Sequence, residues 1–215
     1  MTRESKVPTA TVERLAACLR YLNLIESSHA ETISSADIEE TIGIPAAQFR
    51  KDLSYFGEFG RPGVGYNVHH LQKRIAKILR VEDEQPVLLV GAGNLGSALV
   101  GYPALRQHNF NIVAVFDNNY NKIGRQLWDL EILDVEQIKN VNETQQAEIA
   151  ILTVPAAAAQ TVAEKLIDAG IKVILNFAPT SLRVPKGVFV RHVCFIQELT
   201  VLSYHLSPET DKEAV

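Results

Sequence analysis

Apolar positions fall at helical spacing through the first part of the chain and in short unbroken runs after it. Val12, Leu15, Ala16, Leu19 and Leu22 recur at i, i+3, i+4, i+7, which predicts an amphipathic helix entered through Pro8 and Thr9. Cys18 lies near that stripe and reads as a small core filler. Ser34 with Asp37 predicts a capped helix that runs to Ile42, and Gly43 ends it. A further helix opens with Pro45 at its first position and runs to Phe56, with Phe49, Leu53 and Phe56 turned to a core. Gln48, Arg50, Lys51, Ser54 and Tyr55 are left on its other faces. Two helices joined by a tight glycine turn predict a helix-turn-helix. The segment Gly57–Val68 alternates aromatic and apolar residues with glycines, which suits a β-hairpin wing tipped by Arg61. A last helix, Leu71 to Leu79, carries Lys73, Arg74 and Lys77, and His69 and His70 precede it.

Residues 1–80 therefore read as a winged helix that binds duplex DNA. Its candidate contacts are Gln48, Arg50, Lys51, Ser54, Tyr55, Arg61, Gly63 and Tyr66. Arg50 and Lys51 suit either base edges or phosphates. A helical protein-interaction module is the other reading of the same pattern.

Residues 81–86 form a charged linker that ends in proline, and strand and helix patterns then alternate. Val87–Val90 is apolar throughout and leads into Gly91-Ala92-Gly93-Asn94-Leu95-Gly96, a Gly-x-Gly-x-x-Gly turn of the dinucleotide-binding kind. Gly91 permits the turn, Gly93 lets backbone approach a pyrophosphate, and Gly96 lets the helix pack on the strand. The free N–H groups of that helix start favour phosphate. A second strand, Ile112–Phe116, ends in Asp117, at the distance where a carboxylate accepts from the adenosine ribose. No arginine follows it directly, so NAD(H) is expected over NADP(H). Further strands are predicted at 149–154, 172–177 and 188–193, with a strand or turn near 130–133. Helices are predicted at 135–141, 157–169 and 195–206, with a polar tail over 208–215. This is an α/β pattern with a doubly wound parallel Rossmann sheet over 87–194. Ligands sit at the carboxyl ends of such strands, where Thr153-Val154-Pro155 and Asn176-Phe177-Ala178-Pro179 lie. Those two turns are therefore candidates for the nicotinamide half.

Composition changes the picture in one respect. The 215 residues are 47% hydrophobic and 21% charged, with a net charge of −4. Residues 1–80 hold eleven Lys/Arg against nine Asp/Glu, and the remainder ten against sixteen, so the basic charge gathers on the DNA-binding candidate. There is no apolar run long enough for a membrane span and no signal-peptide core, and a cytoplasmic protein is expected. Cys18 and Cys194 form no metal or redox motif. His29, His69, His70, His108, His192 and His205 lack the partners that catalysis or a metal needs. No metal and no enzyme activity are expected. A small NAD(P)-dependent oxidoreductase, or a DNA-binding protein holding the nucleotide only structurally, are the competing readings.

Seven motifs then resemble, in order, the bacterial redox-sensing repressor family Rex. They are Ile33-Ser34-Ser35, Arg50–Gly57, Gly63–Val68, Gly93–Gly96, Lys122-Ile123-Gly124, Ala150–Pro155 and Ile174–Pro179. The resemblance implies a homodimer that senses the NADH/NAD+ ratio, binds a palindromic operator when NADH is scarce, and is released by NADH. It implies a domain-swapped C-terminal helix over 195–207, with Phe195 reaching the partner's nicotinamide pocket. Tyr102 matches a tyrosine near that ring and the subunit interface, and Lys122 joins the cofactor residues. Arg20 matches an arginine that pairs with the other subunit's aspartate. This chain has Val193-Cys194 where the family has Val-Asp; either Cys194 adds thiol-based redox sensing, or it is a tolerated small residue and another group serves Arg20. Arg61-Pro62 also stands where relatives place a second basic residue, and weaker phosphate contact is expected there.

Overall fold

A computed structural model describes residues 7–25, 31–57, 59 and 65–206. The chain divides into two compact units, Met1–Glu84 and Gln85–Val215.

The first unit holds helices α1 (Thr9–Ile25), α2 (Ser35–Ile42), α3 (Ala46–Ser54) and α4 (Val68–Leu79). A two-residue ladder joins β1 (Thr32–Ile33) to β2 (Tyr66–Asn67), antiparallel. The core gathers Leu15, Cys18 and Leu22 of α1 with Ile38, Phe49, Leu53, Leu71 and Ile75. Thus the buried stripe of α1 is Thr11, Leu15, Cys18 and Leu22, while Val12 and Ala16 face outward. The expected stripe was out of phase because threonine and cysteine carry part of the real one. Ser34 caps α2 reciprocally with Asp37, and Gly43 ends it at a φ of 71°. Pro45 is the N-cap of α3 rather than its first residue. Asn67 caps α4, its side chain accepting from the His70 N–H. The wing was expected as a self-paired hairpin over 57–68, yet Tyr66–Asn67 pairs with Thr32–Ile33. Arg61 and Gly63 lie outside the described residues.

The second unit is a seven-stranded sheet in the order β5-β6-β4-β3-β7-β8-β9. The strands are β3 (Gln85–Val90), β4 (Phe110–Asp117), β5 (Gln126–Leu127), β6 (Leu130–Asp134), β7 (Ile149–Leu152), β8 (Val173–Asn176) and β9 (Phe189–His192). Every neighbouring pair is parallel except β5 with β6. Helices α5 (Asn94–Val100), α6 (Pro103–Gln107), α7 (Ile138–Gln145), α8 (Ala156–Asp168) and α9 (Phe195–Tyr204) complete it. β3 starts at Gln85, so the last two residues of the expected linker belong to the sheet.

Alternation along β3 explains the two covered faces. Leu88 and Val90 enter a core with Ile138 of α7 and Ala159, Ala163 and Leu166 of α8. Val87 and Leu89 enter another, which packs against Leu99, Val100 and Leu105 of the α5–α6 side. Of the short hairpin β5–β6, β6 matches the strand or turn expected near 130–133, while β5 and the pairing were not foreseen. The turn residue Trp128 has a φ of 58°, and its indole lies so close to Gly101 that a Cβ there has no room. α9 is the exception to burial. Phe195, Ile196, Leu199 and Leu202 are all more than half exposed.

Candidate functional site

Arg50, Lys51 and Ser54 of α3 and Tyr55, its C-cap, are exposed, as a DNA-facing surface requires. Arg50 Nη1 donates to Ser35 Oγ of α2 at 2.7 Å, which ties the two helices of the motif together. The Ser54 hydroxyl donates back to the Lys51 carbonyl at 2.7 Å. Tyr66 is half-buried, edge-on to Phe49 with ring centroids 5.7 Å apart. Burial pushes its phenol up and the Arg50 charge only partly offsets this.

Gln48 differs from expectation. Its amide donates to Asp52 Oδ1 at 2.9 Å, so one side of that group is turned inward. Asp52 is fully buried. Its Oδ1 also receives the Thr11 hydroxyl and an Arg14 Nη2 hydrogen, both at 2.8 Å. Arg14 Nε donates to Oδ2 at 2.5 Å. Burial pushes the Asp52 carboxyl up, but donation from Arg14, Gln48 and Thr11 outweighs it, and the net shift is down. This network fixes α3 on α1. The spacing of Thr11 with Arg14, and of Gln48 with Asp52, was its only signature in the sequence.

The glycine turn of the second unit closes around β7. Gly91 has a φ of 108°, and a Cβ on it would stand 2.5 Å from the Thr153 carbonyl oxygen. Thr153 Oγ1 donates to the carbonyls of Gly91 at 2.8 Å and Val90 at 3.1 Å. A Cβ on Gly96 would strike the Gly91 carbonyl, so α5 packs on the turn through bare backbone. A Cβ on Gly93 meets nothing within 4 Å. The backbone there is open to an approaching group. Gly93 is also the N-cap of α5, with no side chain over the first N–H groups. These features fit a pyrophosphate.

A cleft of about 460 Å³ lies at this turn, at the carboxyl ends of β3, β4 and β7, where the chain leaves the sheet in opposite directions. Gly91, Gly93, Asp117, Lys122, Thr153, Val154 and Pro155 are brought together in its lining. Asn118, Asn119, Val135 and Ala158 join them without having been foreseen. Ala92 and Gly96 are buried within the turn, and Asn94 and Leu95 are exposed at the start of α5. Asp117 is 7% exposed. Burial pushes its carboxyl up, but Lys122 and the N–H groups of Asn119 and Ala92 outweigh that and lower it overall.

Other expected cofactor residues lie elsewhere. Asn176 is fully buried. Its amide donates to the Thr180 carbonyl at 2.9 Å and accepts from the Ala178 N–H at 3.0 Å, with His192 Nδ1 3.0 Å away. It braces the loop after β8 and gives His192 a partner, rather than facing the cleft. Ala178 is buried in the core and Pro179 exposed. Tyr102 is exposed and lines a second cavity of about 520 Å³, with Leu99, Phe110 and Trp128. Phe195 stands against Phe177, centroids 6.1 Å apart. Cys194 is the exposed N-cap of α9 and makes no side-chain cap. Arg20 is exposed on α1. Cys18 is buried, and burial pushes its thiol up to about 12, which keeps it protonated. Among the described residues no His/Cys/Asp/Glu cluster could hold a metal ion, and no helix is long and apolar enough to cross a membrane.

Two family models match the chain, one for each unit. "Putative DNA-binding protein N-terminus" matches residues 6–54, and "CoA binding domain" matches residues 82–180. The redox-sensing transcriptional repressor Rex of Carboxydothermus hydrogenoformans is 47% identical over 94% of this chain and 97% of its own. Among solved structures, RSP, a Rex-family repressor, was determined in complex with beta-NAD+ and operator DNA. That structure is 36% identical, covers 94% of both chains, and has a TM-score of 0.89. RSP in complex with beta-NADH is 34% identical over 94% of this chain and 95% of that one, with a TM-score of 0.85. The likeness to these repressors runs across nearly the whole length of both units, and the chain belongs to the Rex family of redox-sensing transcriptional repressors.

Proposed function

We propose that this protein is a transcriptional repressor that senses the NADH/NAD+ ratio, binding a palindromic operator when NADH is low and leaving it when NADH rises. The observation that carries this reading is the likeness over 94% of both chains to a repressor solved with NAD+ and operator DNA. Residues 1–80 act as a winged helix in which α3 enters the major groove. Arg50, Lys51, Ser54 and Tyr55 make its contacts, and Arg61 and Gly63 belong to the wing. A repressor of this kind works in the cytoplasm, on the chromosome.

Residues of the cleft divide the labour. Gly91, Gly93 and the start of α5 hold the pyrophosphate, and Asp117 takes the ribose hydroxyls. The dinucleotide, when bound, supplies a ring that is neutral when reduced and cationic when oxidised. Val154 and Pro155 line the cleft with apolar surface, which desolvates a neutral ring more cheaply than a cation.

The protein works as a homodimer with α9 exchanged between subunits. The exposed apolar residues of α9 support this, since Phe195, Ile196, Leu199 and Leu202 find no cover in one copy. Phe195 then caps the partner's nicotinamide pocket, with Tyr102 and Arg20 at the subunit interface. Closure of the nucleotide units changes the separation of the two recognition helices, which must match half-sites one helical turn apart or a multiple of it.

The test is fluorescence anisotropy of the full chain on a palindromic operator selected from random duplexes, at fixed salt, with NADH and then NAD+ titrated. Release by NADH with little release by NAD+ is expected. Equal response to both would overturn the sensing reading, and absence of any selected duplex would overturn the DNA-binding one.

A further inference from the structure

The acid that ends β4 does not face the cleft alone. Asp117 Oδ2 receives the Lys122 ammonium at 2.9 Å and the Ala92 N–H at 2.9 Å, while Oδ1 receives the Asn119 N–H at 2.8 Å. The two partners differ in exposure. The side chain of Asp117 is 8% exposed and that of Lys122 35%. Both line the cleft, and among the described lining residues they are the one carboxylate and the one cation.

That pairing bears on which dinucleotide the cleft accepts. A ribose hydroxyl donates to Asp117 Oδ1 without disturbing the ion pair on Oδ2, because Oδ1 has a second acceptor position beside the one that the Asn119 N–H takes. A 2′-phosphate has no hydrogen to offer at neutral pH beyond a fraction of one. It would meet the Asp117 charge at close range, in a site where burial weakens screening. Its natural ligand is an ammonium or guanidinium, and the cleft contains one already committed to Asp117. The backbone N–H groups of Ala92 and Asn119 hold the carboxylate in place, so the ammonium is the end of the pair that can be released.

We propose that Asp117 and Lys122 act as a single specificity-determining pair, in which Asp117 receives the adenosine ribose and masks the ammonium that would otherwise receive a 2′-phosphate. The inference rests on the dinucleotide reading of the cleft. Selection of NADH over NADPH then depends on the bond between the two side chains as well as on the acid.

The experiment measures dissociation constants of NADH and NADPH for the full chain by ligand fluorescence, and reads their ratio. The ratio is insensitive to a general loss of folded protein. Lys122→Met leaves the Asp117 charge uncompensated, and discrimination against NADPH deepens by about tenfold, while Lys122→Arg preserves the original ratio. Asp117→Asn frees the ammonium and moves the ratio about tenfold toward NADPH; adding Lys122→Met to it abolishes that gain. An unchanged ratio in Lys122→Met, or a gain that survives in the double variant, overturns the pair while NADH binding upholds the cleft. Failure of the unaltered protein to bind NADH overturns the cleft reading and the pair with it.

Discussion

Replacing Arg14 by methionine strands the carboxylate on which α1 and α3 meet. Asp52 is fully buried, and Arg14 supplies two of its charge-assisted hydrogen bonds. Thr11 and Gln48 remain as donors, but neither carries charge. Removing one partner of a buried ion pair costs about 3–5 kcal/mol, because the other charge stays desolvated. The Arg14 side chain is 28% exposed, so part of its own charge is solvated already, and the lower end, about 3 kcal/mol, applies. The penalty must also depend on pH. In the native protein the Asp52 carboxyl is held below its ordinary value. Its contribution is therefore full above the unfolded value, about 3.9, and is lost as pH falls through the lower folded value. Without Arg14 its donation and charge no longer oppose burial, and the carboxyl is held down less than in the native protein. The variant then loses less stability than the native protein as pH falls below about 4, and the penalty shrinks. Native-state hydrogen exchange of the α1 and α3 amides in the full chain reads this directly. A penalty under about 1 kcal/mol at pH 7, or one that does not change with pH, would refute the reasoning.

Four further outcomes are expected. Gly96→Ala drives a methyl group into the Gly91 carbonyl and costs about 3 kcal/mol in denaturant unfolding. Gly93→Ala, where the added carbon meets nothing, leaves stability within about 1 kcal/mol but weakens NADH at least about tenfold by fluorescence titration. Equal effects of the two would contradict their separate roles. Arg50→Ala and Lys51→Ala each lower the slope of log affinity against log salt by about 0.9 where the side chain meets a phosphate. A residue that reads a base edge instead loses discrimination at one operator position, with the slope retained. Cys194→Asp supplies the missing side-chain acceptor at the start of α9 and stabilises that helix by about 1 kcal/mol, seen as slower amide exchange over Phe195–Glu198.

What could be read in the chain was whatever a short window contains. The Ser34–Asp37 cap, the Gly43 stop and the run from Val87 to Gly96 are local patterns with local causes, and each folds as its spacing predicts. Asp117 was legible because one strand fixes its distance from the glycines. What escaped depends on partners far away in sequence. Asp52 reads as one charge on a basic helix until Thr11 and Arg14 are set against it. Asn176 sits at a strand end, where ligands are common, and only its bonds to Thr180 and Ala178 reveal a brace. α1 misled by phase, because the polar hydroxyl of Thr11 is buried by the same carboxylate. The pairing of Tyr66–Asn67 with Thr32–Ile33 spans more than thirty residues, beyond the reach of any hairpin signal.

The indole of Trp128, resting on Gly101 at the far end of α5, gives the protein an optical gauge of its own. It is the chain's single tryptophan, and it touches the end of the helix whose beginning is the Gly93 cap. Any tilt of that helix alters the environment of the indole. Reduced nicotinamide absorbs where tryptophan emits, whereas the oxidised form does not. Occupancy by NADH should therefore be visible as energy transfer from Trp128, and NAD+ should leave the donor bright. The reduced and oxidised forms of the bound ligand can thus be told apart in the unlabelled protein.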